Sequence, residues 1–216
     1  MGITVGLTAS PTVAADRAQL TAALREIVQL AVARGVAAVA RPDGFLGNPA
    51  IRIPVPEPLA KVGAALRVGG EEKRTERFVQ SLNRVAEQSS PAARPVLLGA
   101  VPELPFDDGQ RILGGGESAA TDALRRHALS RVTAALNPVV RDTMERVKVA
   151  RRYKRFVRAF AMGGLVPVPP VDLDAYVLGR TVDGIFVAIA QEERRIRVDP
   201  SARPTPLLRE VFGAQR

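Results

Sequence analysis

From Asp16 to about Ala40 the apolar residues Leu20, Leu24, Ile27 and Leu30 or Ala31 recur every three or four positions with Arg34 opposite them, the 3.6-residue period of an amphipathic helix. Pro42 stops it. Pro58 suits the first turn of a second helix that ends at Gly69-Gly70, and the acidic Glu71-Glu72 opens a third carrying Phe78, Val79, Leu82, Val85 and Ala86 on one side. Pro91 closes that one. Short helices are predicted from Pro95 to Val101 and from Asp107 to Leu113, the latter bounded by Gly114-Gly115-Gly116. A longer helix starts near Ser118 and turns Ala120, Leu124, Ala128, Val132 and Leu136 inward, and Asn137-Pro138 predicts a kink or restart before a helix reaching about Met162. After a Gly/Pro-rich stretch, Asp172 can cap a helix through Arg197 with Val182, Ile185, Phe186, Ile189 and Ile196 on one face. Glu192 and Glu193 stand at pairing distance from Arg195 and Arg197 on what the pattern makes the exposed side. Pro204 to Phe212 gives a last short helix.

Strand signals are confined to Ile51-Arg52-Ile53 and Val96-Leu97-Leu98, and no fixed-period repeat or low-complexity linker divides the chain. The pattern therefore predicts an all-α protein: a single-domain irregular helical bundle over 16–213, preceded by an N-terminal extension over 1–15. The bundle would carry one long ordered loop after its first helix. That loop, Pro42 to Pro58, is irregular by its prolines and glycines yet too apolar to be a solvated linker, since Phe45, Leu46, Ile51, Ile53 and Val55 need a surface to cover. Pro42-Asp43-Gly44 suits a type I turn and Asn48-Pro49 starts another. Among these buried-type side chains stand the polar Arg41, Asn48 and Arg52. Strand-like alternation sends Arg52 outward between Ile51 and Ile53, while Asn48 can bond its own turn; the three are candidates for a ligand or partner site as well as for structural roles.

Composition narrows the chemistry. With 46% hydrophobic and 25% charged residues, 216 residues support a real core, and the 4% aromatic content without tryptophan makes that core one of Leu, Val, Ile and Ala. The absence of cysteine excludes disulfides, thiol catalysis and thiolate metal sites, and a single histidine, His127, excludes a His-rich metal centre. No cofactor is expected. No segment is apolar for long enough to span a membrane as a helix. The formal charge of +9 makes an anionic partner plausible in physical terms, whether lipid head groups, nucleic acid or an acidic protein.

The clearest chemical signal lies between Val147 and Phe160. At 100° per residue Lys148, Arg151, Arg152, Lys154, Arg155 and Arg158 share one broad side, and Val149, Tyr153, Phe156, Val157 and Phe160 share the other. No acidic residue lies between Arg146 and Asp172, so these charges have no local counter-ion. Such a face is either the solvated side of a core helix or a binding surface, and Lys148, Arg151, Arg152, Arg155 and Arg158 are its candidate binding residues. Tyr153 and Phe156 fall on the apolar side, which disfavours base stacking on nucleic acid. Gly114-Gly115-Gly116 before a helix could present amides to a phosphate, although as a helix stop and turn it needs no ligand. His127 has no nucleophile or second histidine nearby in sequence, and Asp107-Asp108 and Asp172 with Asp174 stand where helices begin, as caps do.

Several phrases together carry a resemblance: Pro42 to Pro56, Ile112 to Thr121, Val182-Asp183-Gly184-Ile185-Phe186 with Glu192 to Arg197, and Leu207 to Gly213. In these the chain resembles the bacterial domain-of-unknown-function family numbered four-one-nine-seven, from about Gln19 to Gly213. The resemblance implies a helical domain, typically exported behind a signal peptide, with no assigned activity, cofactor or catalytic residue. Met1 to Ala15 lacks a positive leading region and has only a short apolar run, so it reads as at most the tail of an export signal, ending Thr12-Val13-Ala14-Ala15. The expected location is periplasmic or envelope-associated, or cytoplasmic if Met1 is the native start.

The functional expectation is a non-catalytic binding protein of the bacterial envelope that contacts a protein partner or an anionic membrane surface. A cytoplasmic nucleic-acid-binding helical module is the alternative, and an enzyme of unknown reaction the third reading. The pattern yields a first measurable outcome. Far-ultraviolet circular dichroism should be dominated by helix, and a strong chelator should leave the unfolding temperature unchanged; a sheet-type spectrum or chelator-induced unfolding would refute the reading.

Overall fold

The computed structural model describes residues 11–106, 109–161 and 170–213. Its helices are α1 (Pro11–Ala40), α2 (Ala60–Val68), α3 (Glu72–Ser89), α4 (Ala93–Ala100), α5 (Gly109–Leu113), α6 (Ala119–Arg146), α7 (Val149–Ala161), α8 (Leu173–Val198) and α9 (Pro206–Gly213), and no strand occurs among the described residues. The fold is an all-α helical bundle. α1 lies along α8, α6 runs beside α8, α4 and α3, and α7 lies over α3 and α2. One contiguous apolar cluster joins these helices, from Leu24, Ile27 and Val28 of α1 through Leu124 and Leu136 of α6 to Ile185 and Ile189 of α8. Deep contact between α1 and α8 requires Gly35, because a Cβ there would lie 2.9 Å from the Ile189 amide nitrogen.

The segment between α1 and α2 is a run of turns whose backbone is held by side chains of α3. Asn83, fully buried, accepts from the Ile53 amide at 2.8 Å and donates to the Ile53 carbonyl at 2.9 Å, so one amide side chain takes the place of a neighbouring strand. One turn further along α3, the Glu87 carboxylate accepts from the amides of Phe45 and Leu46 at 3.2 Å each. Arg84 joins Glu87 to Asp43 of the loop. Phe45 is completely buried and its ring occupies the space that a side chain at Gly184 of α8 would need. Ile51 and Ile53 point inward and Arg52 outward, although this stretch pairs with no strand.

Two local expectations change. α6 runs unbroken through Pro138, and the restart comes ten residues later, at Val147-Lys148, where Lys148 adopts a left-handed φ of 59°. Pro138 and Ala134, whose carbonyl loses its helical donor to the proline, both face solvent, while Leu136 and Val140 stay buried on the core side. The missing bond is thus on the hydrated side and packing carries the helix across it. α1 begins at Pro11, so 11–15 form its first turns, whereas Val96-Leu97-Leu98, despite its strand signal, lies in α4, in the place of the helix predicted from Pro95 to Val101. Asp107-Asp108 and the Gly/Pro-rich stretch over 162–169 lie outside the described residues.

Glu193 is the other correction. It is fully buried, with none of its side chain exposed, and the Arg197 side chain is only 8% exposed, so this pair is internal and not a surface pair. Its position in the helix period beside Ile189 and Ile196 turns it inward.

Removing the Phe45 ring should cost about 3–5 kcal/mol, the usual range for emptying a buried aromatic site. Urea unfolding of Phe45→Ala measures it. Gly184→Ala should lose about 1–3 kcal/mol by forcing that ring aside. Wild-type stability in both variants would mean that the loop does not dock on α8.

Candidate functional site

α7 is amphipathic with a sharp boundary, and its apolar side is what fixes it in place. Val149 and Phe156 are fully buried, and Phe156 stacks on Phe78 of α3 with ring centroids 5.0 Å apart. Tyr153 lies against the same Phe78 ring at 5.8 Å, so both rings of α7 that are described are engaged in packing. The opposite side presents Arg151, Lys154, Arg155 and Arg158, all exposed and surrounding a shallow hollow. Lys148 is exposed too, but it sits in the turn before the helix and not on the helix face. Arg152 is half-buried and leans toward α3, where its guanidinium donates to the Arg77 carbonyl at 3.4 Å. The side chain of Phe160 lies outside the described residues.

Among the described residues no ion pair reaches any of these cations. Several surface carboxylates pair elsewhere: Glu103 with His127 and Arg131, Asp174 with Arg141, Asp183 with Arg125 and Glu117 with Arg194. His127 thereby proves to be a surface partner of Glu103, whose carboxyl the His127 and Arg131 contacts hold below its ordinary range.

The surface extends beyond α7. Between α3 and α7 runs an open groove of about 610 Å³, to which α3 contributes Lys73, Arg74 and Arg77 and α7 contributes Arg152 and Arg155. One carboxylate, Glu71, borders it. Arg74 holds that carboxylate in a two-point grip, Nε to Oε2 at 2.7 Å and Nη2 to Oε1 at 3.2 Å, which keeps the Glu71 carboxyl below its ordinary range and ionised at neutral pH. Lys73, Arg77 and Arg155 make no ion pair among the described residues. Reading α7 alone overlooks the α3 cations. The i, i+4 spacing of Lys73 and Arg77, opposite the buried Phe78 and Leu82, is the signal in the sequence that points to them.

The three loop candidates separate. Arg41 and Asn48 border one small hollow beside Glu192, and the Asn48 side-chain Oδ1 accepts from the Ala50 amide at 3.1 Å, closing its own turn. Arg52 borders a different groove, of about 400 Å³, between the loop, α2 and α3. Its backbone amide donates to the Asn48 carbonyl at 2.8 Å, and its side chain makes no hydrogen bond or ion pair among the described residues.

The glycine stretch before α6 has an anion already, and the chain itself supplies it. The Glu193 carboxylate accepts from the Ala120 amide at 3.1 Å, from the Thr121 amide at 2.6 Å and from the Thr121 hydroxyl at 2.6 Å, filling the N-terminus of α6. Arg197 binds the remaining side of that carboxylate at 2.9 Å and donates to the carbonyls of Leu113 and Ile112. Gly114 to Gly116 therefore link two points that one buried ion pair clamps together. Asp172 caps α8 by accepting from the Ala175 amide, as its position suggests.

The chain matches the family model described as a protein of unknown function (DUF4197) over residues 14–213, nearly its whole length, and it belongs to that family. No curated protein and no solved structure matches it. No helix among the described residues is long and apolar enough to cross a membrane.

Glu193→Ala should destabilise the protein by about 3–5 kcal/mol, because it strands the buried Arg197 charge and uncovers the α6 amides. Glu193→Gln keeps one acceptor and should lose less. Chemical denaturation of both variants checks the order; equal, negligible losses would show that the clamp is dispensable.

Proposed function

We propose that this protein is a binding protein of the bacterial envelope that docks on an anionic lipid surface through the outward side of α7. The reading rests on one observation above all. Arg151, Lys154, Arg155 and Arg158 stand exposed on a helix anchored from behind by Phe78 and Phe156, with no carboxylate partner among the described residues. A solvated face of an ordinary core helix is usually mixed in sign, whereas a row of unpaired cations projects a field that reaches about a Debye length, ~8 Å at physiological salt. The envelope location rests on the family resemblance.

Lipid is favoured over nucleic acid by the state of the rings. Tyr153 and Phe156 are packed against Phe78, which leaves the α7 face with charge and no stacking platform among the described side chains. An interface of that kind needs neither a deep pocket nor base-edge donors. Each basic side chain near an anionic leaflet contributes about 1 kcal/mol, so a few of them give reversible, salt-sensitive attachment.

Replacing Arg151, Arg155 and Arg158 together by Gln should therefore lower affinity for phosphatidylglycerol vesicles by roughly a hundredfold, at ~1 kcal/mol per charge. Folding stability should move by less than about 1 kcal/mol. Co-sedimentation across a salt series, with duplex DNA as the competing anion, is the measurement. Tighter binding to DNA, with a linear log–log salt dependence, would replace the lipid reading with the nucleic-acid one. Binding to neither would leave α7 a solvated face.

A further inference from the structure

The α3–α7 groove differs in kind from the outward side of α7. A flat row of cations senses charge density; a concave site with cations on both walls can hold one discrete group. Here Lys73 and Arg77 come from one wall and Arg152 and Arg155 from the other, and Gln80 of α3 also lines the groove. The volume, about 610 Å³, is in the range of small-ligand sites and far exceeds what a single ion needs.

The groove also contains an internal example of oxyanion recognition. Arg74 grips Glu71 with two hydrogen bonds at the edge of the groove, which satisfies that one acid and that one arginine together. What remains is Lys73, Arg77, Arg152 and Arg155 with no carboxylate among the described residues to balance them. Four cations around one hollow repel one another, and they are stabilised by a ligand with more than one negative charge. A phosphodiester, with a single charge, compensates only part of the set. Two phosphates carried on one molecule, spaced to reach both walls, compensate it better. Arginine on both walls suits the planar oxygen pairs of phosphate.

We infer that the groove between α3 and α7 is a headgroup site for a lipid that carries two phosphates, and that it gives the protein a preference among anionic lipids which α7 alone cannot supply. The inference rests on the membrane reading above and adds ligand identity to it. Attachment through α7 depends on total surface charge, and the groove depends on how the charges are grouped.

The test compares phosphatidylcholine vesicles containing cardiolipin with vesicles containing twice the mole fraction of phosphatidylglycerol, so that total phosphate charge is equal. Two charge-matched variants are measured beside the wild type: Lys73→Gln with Arg77→Gln in the groove, and Lys154→Gln with Arg158→Gln on the outward side. All four positions are exposed, and thermal unfolding confirms that both variants keep the fold. Wild-type protein should bind the cardiolipin vesicles about tenfold more tightly, the effect of one additional charge-assisted contact. The outward-side variant should bind both vesicles more weakly and keep that ratio. The groove variant should bring the ratio close to one.

Equal binding of the wild type to the two vesicles would overturn the headgroup site while leaving membrane attachment intact. A preference that persists in the groove variant would overturn its location. Failure of both vesicles to retain the wild type would remove the membrane reading and the headgroup site with it.

Discussion

Burying an ionised carboxylate is tolerable only when its lone pairs are filled, and the bundle depends on Glu193 meeting that condition. Its two oxygens take the first free amides of α6, the Thr121 hydroxyl and the Arg197 guanidinium, with no exposure to solvent. Through Arg197 the same charge fixes the carbonyls at the end of α5, and the guanidinium lies over the Phe212 ring of α9 at 5.4 Å. Arg203 then ties the chain after α8 back to the carbonyls of Ile196 and Arg197. Four helices are positioned by one ion pair and its hydrogen bonds. An apolar pair would fill the space as well, but it could not end α5 and begin α6 at defined residues.

α3 is the second organising element, and its 3.6-residue period gives it three separate tasks. Asn83 and Glu87, one turn apart, hold the backbone of the loop between α1 and α2. Phe78 supports α7 through Phe156 and Tyr153. Lys73 and Arg77 face outward and share a groove with α7. The loop and the basic surface are thus attached to one helix from different sides. The loop secures α3 against α8 by way of Phe45, and α3 in turn sets the height and direction of α7.

The charge distribution follows from this division. Some acidic side chains are used inside, as at Glu87 and Glu193, and others are paired with an arginine elsewhere on the surface, as at Asp174, Asp183 and Glu117. Part of the surplus that makes the chain +9 overall lies on α7 and the turn before it, where Lys148, Arg151, Arg152, Lys154, Arg155 and Arg158 stand with no acidic residue between Arg146 and Asp172. Net charge alone would permit an even distribution, and the field of an even distribution is weak at any one place. Concentration on one rigid ridge makes a binding role physically reasonable.

The order of helices, their capping at Asp172, the inward stripe of α1 and the two-sided character of α7 were legible in the sequence, because each depends on residues three or four apart on one helix. The family could be read from short phrases around the loop and the glycines. Contacts that join distant segments were not legible. Glu193 beside Arg197 has the same spacing in sequence whether the pair faces water or the core, and only the approach of the α6 N-terminus, 72 residues away, makes the inside habitable for a charge. Pro138 looks like a break until solvent is found on its side and core on the other. The groove is the same case: Lys73 and Arg77 are an ordinary pair of polar positions on α3, and Arg152 and Arg155 an ordinary pair on α7, until the stacking of Phe78 on Phe156 brings the two helices together. Local periodicity determined which side of each helix is apolar; tertiary packing decided which polar sides meet.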